Sequence, residues 1–116
     1  LGAKRILAQA RKFGFYEPPP LETPIDERQP SGLYRKGELW SPRRNYEVDA
    51  GRMAFGQERL LVTPLQMALV AGTIANGGIP MRPFAVNRIV SPKQKVLFRT
   101  RPKKMLRAVS PETLAR

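Results

Sequence analysis

The chain carries four serines, Ser31, Ser41, Ser91 and Ser110, and neither histidine nor cysteine. A serine becomes a nucleophile only with an activating base within hydrogen-bond reach. Three positions beyond these serines stand Tyr34, Arg44, Gln94 and Thr113, so no Ser-x-x-Lys exists. There is also no Ser-x-Asn, no Lys-Thr-Gly, no glycine-rich phosphate loop and no acidic cluster with metal spacing. Without His and Cys, the chain has no Ser-His-Asp or Cys-His catalysis, no disulfide and no Cys/His metal centre. Glu47 and Asp49 stand two apart, a spacing that reads as solvated or arginine-paired carboxylates rather than an acid–base pair. These residues offer no complete catalytic centre, no metal site and no cofactor motif.

The elements around them are those of one domain or part of one: 116 residues, 41% apolar, with twelve prolines. Residues 3–12 place Ala3, Ile6, Leu7 and Ala10 on one stripe of an amphipathic helix, closed by Gly14. No capping residue opens that helix. Residues 17–52 are broken by Pro18, Pro19, Pro20, Pro24, Pro30 and Pro42, which argues against helix and against a central strand. They read as a surface excursion held by Leu21, Ile25, Leu33 and Trp40. Thr63-Pro64-Leu65-Gln66 is a helix start, with Thr63 as N-cap, Pro64 at the first position and Gln66 at the third. The helix over 64–76 is apolar nearly all round, with Leu65, Met67, Ala68, Leu69, Ala71 and Ile74 expected as its packing face. Runs 86–90 and 96–99 predict a hairpin with a five-residue loop. Ser110-Pro111-Glu112-Thr113 begins a further helix. The uncapped first helix, the under-covered apolar helix and the late helix start together predict that the chain is a piece of something longer. The longest apolar stretch, from Leu60 to Ala75, is too short and too interrupted to cross a bilayer.

Charge is uneven. Residues 1–62 hold eleven basic and eight acidic residues, whereas 63–116 hold ten basic residues and only Glu112. Nine of those cations fall between Arg82 and Arg107 with no acid among them. Such a field attracts nucleic acid, anionic lipid or an acidic partner, or is simply a solvated basic face. Phe84 and Phe98, the aromatics of that stretch, sit beside aliphatic neighbours, which points to core packing rather than base stacking. No helix-turn-helix, ribonucleoprotein motif or finger is present, so sequence-specific nucleic-acid recognition is not expected.

Phe55-Gly56-Gln57, then Thr63-Pro64-Leu65-Gln66-Met67-Ala68, then Ile74-Ala75-Asn76-Gly77-Gly78 and Pro80 resemble the transpeptidase domain of penicillin-binding proteins, the class B branch more than class A. The Leu1–Phe15 segment resembles the stretch just after that family's Ser-x-Asn, and the hairpin with the Ser110 start resembles the stretch just before its Lys-Thr-Gly. One departure stands out: the family often has Gly-Gln-Gly, and here the third position is Glu58, where a differently shaped loop is expected because glycine alone takes positive φ freely.

The resemblance implies an α+β fold, an incomplete piece of a penicillin-binding-protein and serine β-lactamase-like domain with helices, a β-hairpin and a long Pro-rich loop. Its parts are 1–16 (helix and end), 17–54 (Pro-rich excursion), 55–80 (Gly-Gln turn and buried helix) and 84–116 (hairpin and helix start). It implies a peptidoglycan D,D-transpeptidase acting through an acyl-serine, with all catalytic motifs outside residues 1–116 and no cofactor. Stem peptides and β-lactams are the implied partners, with a cell-wall glycosyltransferase alongside. The implied location is the outer side of the bacterial cytoplasmic membrane. Phe55, Gly56 and Gln57 are the implied cleft-lining residues, with a plain turn that delivers the chain into the Thr63 helix as the alternative role, and Thr63, Pro64 and Gln66 are assigned to helix capping. The alternative is a small basic protein binding nucleic acid without sequence preference.

Overall fold

A computed structural model describes residues 2–115. The first helix, α1 (Ala3–Lys12), buries Ala3 and Leu7. Its cap comes from far along the chain: Asn45 Oδ1 accepts from the Lys4 N–H at 3.1 Å. The helix closes with Phe15 N–H on the Ala10 carbonyl and Gly14 N–H on that of Arg11, a Schellman ending.

The proline-punctuated segment is not a mere excursion. Pro30 is the last proline before a clean β run, and β1 (Gly32–Arg35) forms there. It is the central strand of a three-stranded antiparallel sheet, between β2 (Glu38–Leu39) and β3 (Leu60–Leu61). Lys36 and Gly37, both with positive φ, make the two-residue turn joining β1 to β2. Leu33, on β1, is fully buried and centres the core with Ala3, Leu7, Val48 and Met53. Trp40 packs against this cluster, whereas Ile25, expected as an anchor, is 62% exposed. Glu47 and Asp49 are backbone caps. The Glu47 carboxylate accepts from the N–H groups of Arg44 and Arg43, and the bond from Arg44 is the main cause that holds its pKa below the ordinary value. Asp49 caps α2 (Ala50–Ala54) by accepting from Gly51 and Arg52.

The Thr63 start yields α3 (Pro64–Ala75), whose buried side chains are Gln66 and Thr73. This corrects the expected packing face: Met67 and Ile74 are each 53% exposed. An apolar-all-round helix has no strong rotational preference, and here hydrogen bonding decides. Gln66 Nε2 donates to the Phe13 carbonyl at 2.7 Å and so turns its face of α3 toward the end of α1, whereas Thr73 Oγ1 is satisfied within the helix by the Leu69 carbonyl at 2.6 Å. After α3, β4 (Arg88–Val90) and β5 (Val96–Arg99) form the hairpin, with Ile89 opposite Phe98 and Val90 opposite Val96. The register shift between those pairs leaves Leu97 as a bulge. The chain returns through Met81–Lys104 pairing and ends in α4 (Pro111–Leu114), capped by Ser110. The radius of gyration is 17.1 Å, against about 13 Å for a compact domain of this length. No helix among the described residues is long and apolar enough to cross a membrane.

Candidate functional site

Phe55 follows α2 directly and is 67% exposed. The turn after it is held at both ends. Gly56 N–H donates to the Met53 carbonyl and Gln57 N–H to that of Arg52. On the far side, Tyr34 N–H of β1 donates to the Arg59 carbonyl at 2.9 Å, and Leu60 pairs with Leu33. Phe55, Gly56 and Gln57 thus lie together on an exposed turn between α2 and β3.

Within this turn the departure from the family pattern acquires a physical meaning. Glu58 has φ of +61° and Arg59 of +59°, both left-handed, after Gly56 at +85°. Position 58 thus takes a left-handed conformation although its residue is not glycine. A non-glycine residue there carries about 1–2 kcal/mol of strain. Strained backbone persists only where surrounding bonds over-determine it, as the bonds to β1 and α2 do here. Replacing Glu58 with Gly relieves that strain, less the roughly 0.5–1 kcal/mol of added unfolded-chain entropy. The expected result is a gain of about 0.5–1 kcal/mol, read as a higher denaturant midpoint at unchanged slope. A lowered midpoint would contradict this account of the turn.

The start of α3 is locked to Ser31, the residue just before β1. Thr63 Oγ1 accepts from Gln66 N–H at 3.1 Å, while Thr63 N–H donates to Ser31 Oγ at 3.0 Å. Gln66 is capped rather than capping, since its side-chain amide goes to Phe13 and so fastens α3 to the end of α1. Ser31 is 1% exposed, and its hydroxyl lies 3.5 Å from Thr63 Oγ1. It faces a hydroxyl and an amide rather than a base, and so serves as a joint. Tyr16 completes the joint: its N–H donates to the Ser31 carbonyl and its hydroxyl accepts from Leu33 N–H. Burial pushes the Tyr16 pKa up, opposed by the Leu33 bond and by Arg11, whose guanidinium sits 4.2 Å from the ring centroid. Sequence reasoning missed Ser31 and Tyr16. The sole local signal was Ser31's place just before a β-prone run.

Beside this joint a cleft of about 520 Å³ opens between the end of α1, the Pro18–Pro20 run, α3 and residues 105–107, with Arg11, Phe13, Leu69, Met105 and Arg107 on its walls. Gln66 lines it too; Phe55, Gly56 and Gln57 do not.

A strained turn from Phe55 to Arg59 thus leads through β3 to a Thr-Pro-capped helix that ends in Asn76-Gly77-Gly78. Residues 1–116 match the penicillin binding protein transpeptidase domain, and the chain belongs to that family. Peptidoglycan D,D-transpeptidase PbpA of Mycolicibacterium smegmatis is 34% identical over 115 residues, 98% of this chain and 21% of that protein. The crystal structure of PBPA from Mycobacterium tuberculosis superposes with a TM-score of 0.76 at 33% identity, covering 98% of this chain and 24% of that one. The penicillin G acyl-enzyme complex of penicillin-binding protein A from M. tuberculosis gives a TM-score of 0.74 at 34% identity, covering 98% and 24%. The chain therefore spans about a fifth of the length of the curated relatives it matches.

Proposed function

We propose that this chain is an interior stretch of a serine D,D-transpeptidase domain that cross-links peptidoglycan stem peptides. The observation that carries this reading is the joint agreement of backbone and sequence, a TM-score of 0.76 at 33% identity across 98% of the chain. By family likeness, a serine of Ser-x-x-Lys attacks the D-Ala-D-Ala carbonyl and the terminal D-Ala leaves. The amine of a neighbouring stem then takes the acyl group, and β-lactams acylate the same serine. None of those motifs lies in residues 1–116, so Ser-x-x-Lys and Ser-x-Asn would precede Leu1 in the parent and Lys-Thr-Gly would come after Arg116. The parent's place is the outer side of the cytoplasmic membrane, working alongside a cell-wall glycosyltransferase. Phe55, Gly56 and Gln57 are assigned to the rim of the active-site cleft, a role supported by their exposure and by the strain stored in the turn that presents them. The bare faces of Met67 and Ile74 would be covered by the remainder of the domain.

The test is labelling with a fluorescent penicillin, read by intact mass. Residues 1–116 alone should form no covalent adduct, whereas the parent protein should label stoichiometrically. A stable acyl adduct on the isolated chain, or a parent that never labels, would overturn the proposal.

A further inference from the structure

Under the β4–β5 hairpin a second cleft of about 380 Å³ gathers Arg82, Arg99, Arg101 and Lys103 around Phe84 and Phe98. Sequence reasoning assigned both phenylalanines to a core. Instead they are 38% and 51% exposed and line this cleft. The one acid on its wall is Glu22, already engaged by the Ala85 N–H at 3.1 Å. Arg82 is held by its Nε–H bond to the Pro20 carbonyl at 3.1 Å. Among the described residues, Arg99, Arg101 and Lys103 form no ion pair and donate no side-chain hydrogen bond. They stand two apart along the chain, so neighbouring cations are separated by at most about 7 Å of backbone. Three free cations on the wall of one cleft call for a ligand with more than one anion.

The aromatics restrict the ligand further. The face of a phenyl ring is electron-rich, and the C–H bonds on the face of a sugar ring meet it favourably. Guanidinium forks bind carboxylates in two parallel hydrogen bonds. We infer that this cleft holds an anionic glycan, with saccharide rings on Phe84 and Phe98 and carboxylates on Arg99, Arg101 and Lys103. The choice of polymer rests on the transpeptidase reading: the glycan is the carboxylate-bearing peptidoglycan strand whose stem peptides are cross-linked. A bilayer surface fits less well, because the cations and rings converge in a concavity rather than on a flat face.

The test measures binding of soluble, uncross-linked peptidoglycan strands to the full-length protein after its serine has been blocked with penicillin. The triple variant R99Q, R101Q, K103Q should bind at least about tenfold more weakly. The triple variant K4Q, R5Q, R43Q removes the same charge from exposed sites elsewhere and should retain binding. Phe84→Leu should weaken the strands severalfold while leaving a purely carboxylate polymer, poly-glutamate, unmoved. Equal losses in both triple variants would reduce the site to a general basic field and overturn the inference. So would tighter binding of single-stranded DNA or of phosphatidylglycerol vesicles at the same salt. Failure of the protein to take up penicillin would defeat the transpeptidase reading instead, and strand binding then stands or falls by itself.

Discussion

Replacing Gly78 with Ala should destabilise the domain by about 2–5 kcal/mol, combining roughly 1–2 kcal/mol for a left-handed Cβ with 1–3 for overpacking. Gly78 has φ of +81° and is buried. A Cβ built there would run into the carbonyl of Val109, a backbone atom that cannot swing aside, and would meet Leu114 Cδ1 at 3.1 Å. The crowding has a purpose, because the Gly78 carbonyl accepts from both Ala108 and Val109 N–H, docking the returning chain against the end of α3. The neighbouring glycine isolates the steric part. Gly77 also has positive φ, at +65°, but a Cβ there meets nothing within 4 Å. Gly77→Ala should therefore cost only about 1–2 kcal/mol. Thermal or denaturant unfolding of the two variants, side by side, measures the difference. Equal losses would show that conformation alone accounts for Gly78 and that the Val109 contact carries no weight.

That pair of glycines also marks where sequence reasoning reaches its limit. Asn76-Gly77-Gly78 reads readily as a helix stop, because stopping is local. That Gly78 is also a docking point depends on Val109, 31 positions on, and nothing near Gly78 announces it. The same division runs through the fold. Thr63-Pro64 and Ser110-Pro111 are legible as helix starts because each cap lies within its own first turn. The β4–β5 hairpin is legible because its partners are joined by five residues. β1 was hidden because its pairing with β3 spans nearly thirty residues, and proline density around it obscured a short proline-free run. The α1 cap was hidden for the same reason, since Asn45 reaches back across 41 positions.

The buried face of α3 was misjudged for a different reason: hydrophobicity distributed around a whole helix does not choose a side. The choice fell to Gln66, whose amide found the Phe13 carbonyl 53 positions away. As for the candidate site, the Phe55-Gly56-Gln57 motif was legible only as a resemblance. Its physical content, a left-handed run through Glu58 and Arg59, needed coordinates. The basic stretch was legible as charge, but not the folding that turns Phe84 and Phe98 toward it.

Leu33→Ala tests whether the strained turn depends on the core behind it. Leu33 is fully buried, and truncating a buried leucine costs about 2–5 kcal/mol, the upper end applying where the surroundings cannot collapse into the space. Collapse is hindered here. Leu33 sits on the central strand, with its N–H tied to the Tyr16 hydroxyl and its carbonyl accepting from Trp40 N–H, so β1 cannot shift without breaking paired bonds. The expected loss is thus toward about 4–5 kcal/mol, whereas Leu33→Met, which conserves volume, should cost less than about 1.5. The consequence should extend beyond stability. β1 carries the N–H that holds the Arg59 carbonyl, and Leu60 pairs directly opposite Leu33. Loosening β1 removes one of the two restraints that keep Glu58 and Arg59 left-handed. Amide exchange in Leu33→Ala should accelerate through 55–61 while the hairpin over 88–99, which shares no strand with β1, stays as protected as before. Uniform acceleration across both regions would mean that the core substitution merely lowers global stability and that the turn is not braced by β1.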